Sequence, residues 1–396
     1  MPNTPRNFIG ADQSLARKHN SSAILDLLRL NGPLSRAVLA AKIGLTRSTV
    51  SRIVDDLIAE NLVREVELSP GRKGRPGMLL ELDPQGGSAI GIEIGVNFIS
   101  ILLADFSANV IWRRRANLPD EASSDDYLYR AEQLAHTASD LAASRHLRLM
   151  GIGVGVWGLV DHAKGVIRFA PNLMWHDIPL KENWEDKFHV PVYLENDANA
   201  SALGEYYFGA GRNIENFIYM SMDIGVGGGI ISDGKLFHGS SGYAGEIGHM
   251  AIDPHGDLCS CGKVGCLETM AGRRVIIKRY QSKTDQGELT LEEIIQRARA
   301  GERIAKSIFE DVAETLGVGI GNLVNIFNPQ RIILGWSLGQ AYDLLLPTLE
   351  RSIRKNSLSD QMGKLDVVPF TNGADACLLG CVALVMDEII RERVSF

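Results

Sequence analysis

The chain has 396 residues, of which 45% are hydrophobic and 22% are charged, and its formal net charge is -7. This composition excludes a disordered or fibrous chain, and the length is enough for roughly two or three globular domains. No apolar run approaches the length of a membrane span, and the first residues lack the apolar core of a signal peptide, so we expect a cytoplasmic protein with no membrane partner.

The charge is distributed unevenly along the chain. Residues 1–85 carry 12 Lys and Arg against 9 Asp and Glu, a net charge of +3, which leaves -10 on the remainder. A mildly basic head on an acidic body fits a nucleic-acid-binding module joined to a soluble sensor or enzyme.

Three short helices are predicted in the head. Apolar residues at helical spacing predict a first helix over Ser21–Leu30, and Ser35 can cap a second helix that Gly44 closes after Ile43. Thr46 can cap a third helix, in which an apolar stripe lies opposite a polar face. The polar face carries Arg47, Ser48, Thr49, Ser51 and Arg52. Two short helices around a glycine turn, with arginine and hydroxyl side chains at the start of the second, predict a helix-turn-helix whose recognition helix contacts the major groove.

A hairpin with a basic tip follows these helices. Val63–Leu68 and Met78–Leu82 alternate like two strands, and the sequence SPGRKGRPG between them places Arg72, Lys73 and Arg75 in a turn. Such a wing can reach phosphates or a narrow minor groove. We therefore predict a winged helix-turn-helix over residues 1–85 that binds double-stranded operator DNA. The alternative is a three-helix protein-interaction module with a solvated charged face.

An α/β pattern begins at Ile90, after a plausible linker over residues 83–88. Strands that end in glycine turns are predicted within residues 89–106, 150–160 and 218–231, and a strand that leads into a helix is predicted over Tyr193–Glu205. Further helices are predicted over Tyr127–Ala143, Leu291–Ala300, Ala305–Val324 and Gly373–Ile390. This alternation predicts an α/β body.

Residues 245–268 form a glycine-rich segment with a metal-ligand pattern. His249, Cys259, Cys261 and Cys266 can supply four soft ligands in a tetrahedron, as a structural zinc ion needs, while ordinary reduced thiols are the alternative. Thiols stay reduced in the cytoplasm, so the cluster indicates metal rather than disulfides. We expect Cys377 and Cys381 to be buried packing residues of a helix.

From about Ile90 to its end, the chain resembles the ROK family of sugar kinases and sugar-responsive repressors. The resemblance rests on the zinc segment and on the motif YLENDANASALGE at 193–205. It implies zinc held by His249 and the three cysteines, and a two-lobed actin-like ATPase (sugar kinase, RNase H-like) fold, with lobes at 86–200 plus 375–396 and at 201–374. The implied sugar contacts are Asn172, Asn196, Asp197, Glu246, His249 and Glu268, with Asp197 at the place of the kinase general base.

Three motifs on the nucleotide side depart from the kinase pattern. Glu93 replaces an aspartate, and Val96 and Asn97 follow Gly95 where smaller residues admit phosphate. Asp223 and Ile224 occupy the second phosphate motif, and Trp336 and Ser337 replace glycines that make room for adenosine. Because the sugar-side residues all remain, the chain resembles the xylose-repressor type within the family.

We therefore expect a non-enzymatic repressor that holds xylose, glucose or a related mono- or disaccharide between its lobes. A homodimer or tetramer would place two recognition helices on a palindromic operator, and the bound sugar would change their spacing and weaken DNA binding. Two alternatives stay open: an active ATP-dependent sugar kinase with a regulatory DNA-binding head, and a repressor that a partner protein releases from DNA.

Overall fold

The computed structural model describes residues 13–67, 78–284, 287, 289–358, 363 and 365–392. The head contains helices α1 (Gln13–Asn31), α2 (Arg36–Ile43) and α3 (Arg47–Ala59), and strands β1 (Val63–Glu67) and β2 (Met78–Leu82). The second helix begins and ends as predicted, because the Ser35 hydroxyl accepts a hydrogen bond from the Val38 amide and Gly44 adopts a left-handed φ of 75°. The first helix is longer than predicted and starts at Gln13 rather than Ser21.

The predicted recognition helix and the strands of the wing are confirmed. In α3, the Thr46 side chain accepts a hydrogen bond from the Thr49 amide, and the apolar stripe of the helix is buried against the head. Strands β1 and β2 pair antiparallel, with Val63 opposite Leu82. The predicted basic tip, with Arg72, Lys73 and Arg75, lies outside the described residues.

The first lobe is built on a five-stranded sheet in the order β10-β6-β3-β4-β5. Its strands are β3 (Ser88–Gly95), β4 (Phe98–Asp105), β5 (Val110–Asn117), β6 (Leu149–Val156) and β10 (Val192–Asn196). Helix α4 (Ser124–Ser144) packs against β3, β4 and β6 of this sheet, and helix α5 (Leu180–Phe188) packs against β10. A small sheet of β7 (Leu159–Asp161), β8 (Val166–Ala170) and β9 (Trp175–Ile178) completes the lobe. Strand β3 pairs antiparallel with β4 and parallel with β6.

The second lobe repeats this topology. Its sheet has the order β13-β12-β11-β14-β15, in which β11 pairs antiparallel with β12 and parallel with β14. The strands are β11 (Phe217–Met222), β12 (Val226–Ser232), β13 (Lys235–Leu236), β14 (Arg331–Gly335) and β15 (Asp366–Pro369). The helices are α7 (Leu267–Ala271), α8 (Arg273–Lys283), α9 (Leu291–Arg299), α10 (Arg303–Phe327), α11 (Trp336–Gln340) and α12 (Tyr342–Asn356). The predicted α/β fold of two similar lobes is confirmed.

Two helices cross between the sheets at a very short distance. Helix α6 (Asp197–Phe208) and the C-terminal helix α13 (Ala376–Glu392) meet through small residues. A Cβ atom on Gly380 would lie 1.7 Å from the Ala200 carbonyl oxygen, so only glycine permits this approach. Cys377 and Cys381 are buried in this contact, as predicted. Helix α6 contacts strands of both lobes and runs through residue 200, so the lobe boundary there stays a prediction.

The connection between head and body is more ordered than a linker. Residues Pro84–Gly86 form one turn of 3-10 helix, and the Asp83 side chain accepts a hydrogen bond from the Gln85 amide. The apolar core of the head, which includes Ile24 and Leu28, continues into side chains of α13 such as Val385 and Met386. The head is therefore a rigid extension of the first lobe. None of the described helices combines the length and the apolar character that crossing a bilayer requires.

Candidate sugar cleft, metal cluster and DNA-binding surface

A cleft of about 420 Å³ opens between the two lobes, beside the ends of β10, β11 and β14. Six of the residues that line it are those predicted to contact a sugar. These are Asn172, Asn196, Asp197, Glu246, His249 and Glu268. The structure thus brings together side chains that are as much as 96 positions apart in the sequence, and their contact with a sugar stays a prediction.

Asn196 and Asp197 occupy the junction between β10 and α6. The Asn196 side-chain oxygen caps α6 by accepting hydrogen bonds from the amides of Ala198 (2.9 Å) and Asn199 (3.3 Å). Its side-chain NH₂ donates to the Gly158 carbonyl oxygen at 3.1 Å. Asn196 therefore fixes the start of α6 and the neighbouring turn, and it keeps one N–H for a ligand.

The Asp197 carboxyl group is surrounded by low-dielectric protein and by other acids. Burial, together with the negative charges of Glu246 and Asp223, raises the pKa of Asp197 to about 7. Burial also raises the pKa of Glu246, and the nearby His249 offsets part of this effect. A ligand whose hydroxyls donate to these carboxylates would satisfy groups that are costly to ionise without a partner.

A polar network that the sequence interpretation missed supports Asn196 from behind. The buried Glu195 accepts hydrogen bonds from the Asn196 amide (2.9 Å) and the Asn199 side chain (3.0 Å). Its other oxygen lies 2.7 Å from His238 Nε2, and the His238 ring stacks on His162 with centroids 4.1 Å apart. Because His162 and His238 come from different lobes, this network holds the base of the cleft together. An acidic residue directly before Asn196 was the only signal in the sequence.

The predicted metal ligands are brought together by the segment after β13. The four candidate ligand atoms of His249, Cys259, Cys261 and Cys266 all lie within 4.8 Å of one another. The Cys259 sulfur is 3.5 Å from His249 Nδ1, and the sulfurs of Cys261 and Cys266 are 3.6 Å apart. The edge of a zinc tetrahedron with thiolate ligands is about 3.8 Å, so the donor set and its spacing fit Zn²⁺. The cluster could hold a metal ion, as predicted.

The backbone of this segment folds back on itself at glycines. Gly262 and Gly265 have left-handed φ angles of 84° and 70°. A Cβ atom on Gly265 would lie 1.6 Å from the Asp253 carbonyl oxygen, so no other residue fits there. Leu258 and Val264 form an isolated bridge across the turn. The glycines therefore let three sulfurs converge within eight positions of chain.

His249 joins the metal cluster to the cleft. Its Nδ1 atom faces Cys259, whereas its Nε2 atom lies 3.9 Å from a Glu246 carboxylate oxygen. Glu268 lies 3.5 Å from His249 Nδ1 and accepts a hydrogen bond from the Cys259 thiol at 3.0 Å. An ion that bound Nδ1 would orient the ring and leave Nε2 directed toward the cleft.

At the two turns predicted to lie where a kinase binds phosphate, backbone amides form hydrogen bonds to other atoms of the protein. In the β3–β4 turn, the Asn97 amide donates a hydrogen bond to the Tyr127 hydroxyl at 2.7 Å. In the β11–β12 turn, the Asp223 amide donates to the Gly225 carbonyl, and the Asp223 carboxylate lies 3.5 Å from Arg273. A phosphate at the β11–β12 turn would therefore meet the Asp223 carboxylate, and the amides of Asn97 and Asp223 are already hydrogen-bonded.

Two tryptophans meet across the cleft on this same side. Trp157 from the first lobe and Trp336 from the second contact each other edge to face, with centroids 6.4 Å apart. The Trp157 indole N–H donates a hydrogen bond to the buried Glu93 carboxyl group at 3.2 Å. Burial raises the pKa of Glu93 to about 8, and the charge of Asp197 adds to the effect.

The predicted base-reading face of α3 points away from the rest of the head. Arg47, Ser48 and Arg52 are exposed, while Thr49 and Ser51 are half-buried. Within the described part of the chain, Arg47 and Arg52 have no ionic partner, unlike Arg36, which pairs with Asp55. Two unpaired guanidinium groups on one exposed helix face are suited to phosphate or guanine contacts.

A buried charge cluster joins the head to α6 and α13. The Arg29 side chain on α1 is 1% exposed and pairs with Asp387 on α13. Its guanidinium carbon lies 3.6 Å from the centroid of the Tyr207 ring at the end of α6. The Tyr207 hydroxyl donates to Asp387 at 2.7 Å. The helix that starts at Asp197 thus ends against the first helix of the head.

Comparison with known proteins gives two family matches. Residues 89–388 match the ROK family, and residues 17–64 match a winged helix-turn-helix DNA-binding domain. The chain is 35% identical over 391 residues to a xylose repressor of Caldicellulosiruptor bescii, covering 96% of this chain and 98% of that one. It is 33% identical over 380 residues to the xylose repressor of Bacillus subtilis, with the same two coverages. It is 32% identical over 369 residues to the DNA-binding transcriptional dual regulator NagC of Escherichia coli, covering 89% of each chain.

Solved structures agree with these matches. A ROK family transcriptional regulator, described as a homolog of the E. coli MLC protein, superposes with a TM-score of 0.83 at 26% identity and covers 96% of this chain and 99% of its own. A ROK family glucokinase from Streptomyces griseus, in complex with glucose and AMPPNP, gives a TM-score of 0.67 at 29% identity. It covers 75% of this chain and 99% of its own. The regulator therefore matches nearly the whole chain, and the kinase leaves a quarter of it unmatched.

Proposed function

The chain belongs to the ROK family, and on that premise we propose that it is a DNA-binding transcriptional repressor controlled by a sugar that binds between its lobes. The head supplies the DNA-binding face of α3, and the cleft supplies the carboxylates and the histidine that a polyol needs. Two of its relatives are named xylose repressor and N-acetylglucosamine repressor, so we expect genes of carbohydrate uptake or catabolism to be the targets of this chain. Operator DNA also implies a cytoplasmic location.

One observation supports a repressor over a kinase most strongly. The sugar side of the cleft keeps its polar groups, whereas the phosphate side is lined by Asp223 and Ile224 and by the Trp157–Trp336 pair. A kinase stabilises transferring phosphate with backbone amides and Mg²⁺, and here the Asn97 amide already bonds to Tyr127. We therefore propose that ATP binding is lost and that Asp197 binds sugar hydroxyls without acting as a general base.

The metal cluster is proposed to hold one structural zinc ion. His249 Nδ1 and the three cysteine sulfurs would be its ligands, and a closed site of this kind leaves no position for a catalytic water. The ion would supply rigidity, because the segment that carries Glu246, His249 and Glu268 has only short helical turns of its own. The residues of the chain would do the sugar binding.

Helix α6 is proposed to carry the sugar signal to the head. Its first residue, Asp197, lines the cleft, and Tyr207 in its last turn contacts Arg29. Gly229 of β12 packs so tightly against α6 that a Cβ atom would lie 2.6 Å from the Ala198 carbonyl oxygen. When the second lobe closes on a sugar, β12 and α6 would therefore move together, and the movement would reach α1 through the buried charge cluster.

The released state would differ from the DNA-bound state in the placement of the head. In a homodimer or tetramer, two α3 helices would contact the two halves of a palindromic operator. A shift of one head by a few ångströms would break the contacts of its α3 helix with DNA. A tenfold change in operator occupancy needs a difference of about 1.4 kcal/mol between the two states, which a few hydrogen bonds to a sugar can provide.

The experiment that tests this function combines titration and DNA binding. Zinc-loaded protein is titrated with xylose, glucose and N-acetylglucosamine and with ATP, and operator binding is followed with and without each sugar. Asp197→Ala and Glu246→Ala should abolish the sugar response and leave operator affinity unchanged. If both variants still release DNA when sugar is added, the site assignment is wrong.

The alternatives give different results in the same experiment. Sugar phosphate formed with ATP and Mg²⁺ would favour an active kinase with a regulatory head. Operator binding that persists with every sugar, without heat in any titration, would favour release by a partner protein.

A further inference from the structure

The lining of the cleft includes a row of acidic and histidine side chains and a pair of indole rings. Glu268, His249 and Glu246 follow one another from the metal cluster inward at separations of 3.5 Å and 3.9 Å. Asp197 comes next, since the negative fields of both Glu246 and Asp223 act on its carboxyl group. Trp157 lies on the Glu93 side of Asp197, because its indole N–H bonds to Glu93 and the charge of Asp197 acts on that carboxyl group. Trp336, which contacts Trp157, and Ile224 also line the cleft. The cleft therefore has a polyol-binding end and an aromatic end.

The two ends together are larger than one monosaccharide needs. A volume of about 420 Å³ lies within the range of about 300–1,000 Å³ of sites that hold drug-sized ligands, which are larger than a single pentose or hexose. A single sugar ring in contact with Glu246, His249 and Glu268 would leave the aromatic end filled only with water. Water against two indole rings is unfavourable, so a ligand that extends past Asp197 would bind more tightly.

Trp336 adopts a backbone conformation that a tryptophan rarely tolerates. Its φ angle is 46°, in the left-handed region that favours glycine, at the turn between β14 and α11. The ring is only half-buried and lines the cleft, so core burial does not account for the strain. Its indole N–H has no hydrogen-bond acceptor among the residues that the structure describes and is not one of the buried unpaired groups, so it is open to the cleft. A strained residue with an unused donor in a cleft indicates contact with a ligand.

The charges at the aromatic end decide which ligands fit. Asp223 pairs with Arg273, which also pairs with Glu292. Burial raises the pKa of both Asp223 and Glu93, and the charge of Arg115 offsets part of that rise. The Arg115 guanidinium group, however, is stacked on the Phe98 ring, with its central carbon 3.6 Å from the ring centroid. Phosphate or another anion attached to the sugar would meet the Asp223 carboxylate, and the two nearby cations are already engaged by Asp223, Glu292 and the Phe98 ring. A neutral group with an apolar face suits two indole rings, and a pyranose ring offers C–H faces together with hydroxyls that can accept from the Trp336 indole.

We propose that the cleft binds a neutral disaccharide, with one ring among Asp197, Glu246, His249 and Glu268 and the second ring against Trp157 and Trp336. This proposal rests on the proposed function, because it takes the polyol-binding end to hold a sugar. The second ring bridges the lobes, since Trp157 belongs to the first and Trp336 to the second. A disaccharide is therefore also the better inducer of closure.

The test uses the full-length, zinc-loaded chain and calorimetric titration with xylose, glucose, xylobiose, cellobiose and maltose. The wild-type chain should bind one of the disaccharides at least tenfold more tightly than either monosaccharide. Trp336→Gly relieves the backbone strain and should weaken that disaccharide tenfold or more, with less than a threefold effect on the monosaccharide. Trp112→Ala, which removes a half-buried tryptophan outside the cleft, is the matched control and should change neither.

Three results would overturn the proposal. The first is a monosaccharide that binds as tightly as every disaccharide, and the second is a Trp336→Gly variant that weakens both kinds of sugar equally. The third is tight binding of 4-nitrophenyl xyloside or glucoside but of no disaccharide, which would assign the aromatic end to an aryl group. In all three cases a sugar still binds. Failure of the proposed function is distinct, because then no neutral sugar of either length produces heat or releases operator DNA.

Discussion

The Arg29 guanidinium lies over the Tyr207 ring, with its central carbon 3.6 Å from the ring centroid, and thereby joins the first helix of the head to the end of α6. Both residues also contact Asp387 of α13. A buried cation stays beside its anionic partner, because separating the two would leave an unpaired charge in the protein interior. This cluster is therefore a stiff connection between the sugar cleft and the DNA-binding domain.

The first prediction concerns this connection. Arg29→Met leaves Asp387 buried without its cation, which should cost about 3–5 kcal/mol of folding stability. The double variant Arg29→Met/Asp387→Leu removes both charges and should recover most of that loss. In the double variant, operator affinity should stay within about threefold of wild type while the sugar-induced decrease in affinity becomes smaller.

Fluorescence anisotropy with labelled operator, with and without sugar, measures both quantities. Arg299→Met is the matched control, because Arg299 forms an ion pair with Asp343 in the second lobe, away from α6. An unchanged sugar response in the double variant would show that the signal takes another route.

The second prediction concerns the pH dependence of sugar binding. The pKa of Asp197 is raised to about 7, and the ionised carboxylate accepts hydrogen bonds from sugar hydroxyls on both oxygens, whereas the protonated group must donate from one of them. Sugar affinity should therefore rise by about tenfold between pH 6 and pH 8 and level off above that range. Calorimetric titration at five pH values measures the slope. Asp197→Asn should bind more weakly and lose the slope, and a slope that survives this substitution would assign the titration to another group.

The third prediction concerns the metal cluster. The wild-type chain should carry one zinc ion, and Cys261→Ser should lower the zinc content, the melting temperature and the sugar affinity together, because Glu246 and Glu268 flank the same segment. Elemental analysis, thermal melting and calorimetry are the measurements. Lys263→Ala changes the same turn without removing a ligand and should retain the metal. Full zinc content in Cys261→Ser would contradict the ligand assignment.

The fourth prediction concerns the buried Glu93. Its pKa is raised from 4.5 to about 8, so the folded state favours the protonated form, and the associated stability is lost as the pH rises through 8. Glu93→Gln keeps an acceptor for the Trp157 indole and carries no charge. The variant should therefore gain stability relative to wild type at pH 9, by a few kcal/mol, and much less at pH 6. Urea unfolding at both pH values measures the difference, and the exposed Glu314→Gln should show no such trend.

The fifth prediction concerns the recognition helix. Arg47→Ala and Arg52→Ala should each weaken operator binding by about 1–3 kcal/mol, because both side chains are exposed on α3. Sugar binding should be unchanged, because neither residue lines the cleft. Repeating the measurement across salt concentrations separates base contacts from phosphate contacts. Arg354→Ala, an exposed arginine of the second lobe, is the control. Wild-type operator affinity in both variants would favour a protein-interaction role for the head.

Features that depend on residues close together in the chain could be predicted from the sequence. Ser35, Gly44 and Thr46 fix the ends of α2 and the start of α3 through hydrogen bonds to residues at most four positions away. The metal cluster was equally readable, because three of its ligands lie within eight positions and the glycines that shape the turn lie between them. Such features depend on local backbone geometry, which neighbouring residues specify by themselves.

The start of α1 and the ordered structure of the segment between head and body could not be predicted, because both depend on contacts between residues far apart in the chain. Helix α1 starts eight positions earlier than predicted, and its apolar residues pack against α13, more than 350 positions away. Tertiary contacts also order residues 83–88, which the sequence predicts to be a linker. They form one turn of 3-10 helix and the first residue of β3. Tertiary contacts overrode the local turn signals there.

The sequence by itself therefore determined the classes of domain, the metal-ligand set and the polar residues of the cleft, since each is encoded in a spacing or in a resemblance carried by short motifs. Only the tertiary structure decided that Trp157 and Trp336 meet across the cleft and that Arg29, Tyr207 and Asp387 share one buried cluster. These contacts join residues between 178 and 358 positions apart or on different lobes. Spacing along a chain carries no information about such pairs, because the crossing of whole helices and sheets sets their distance.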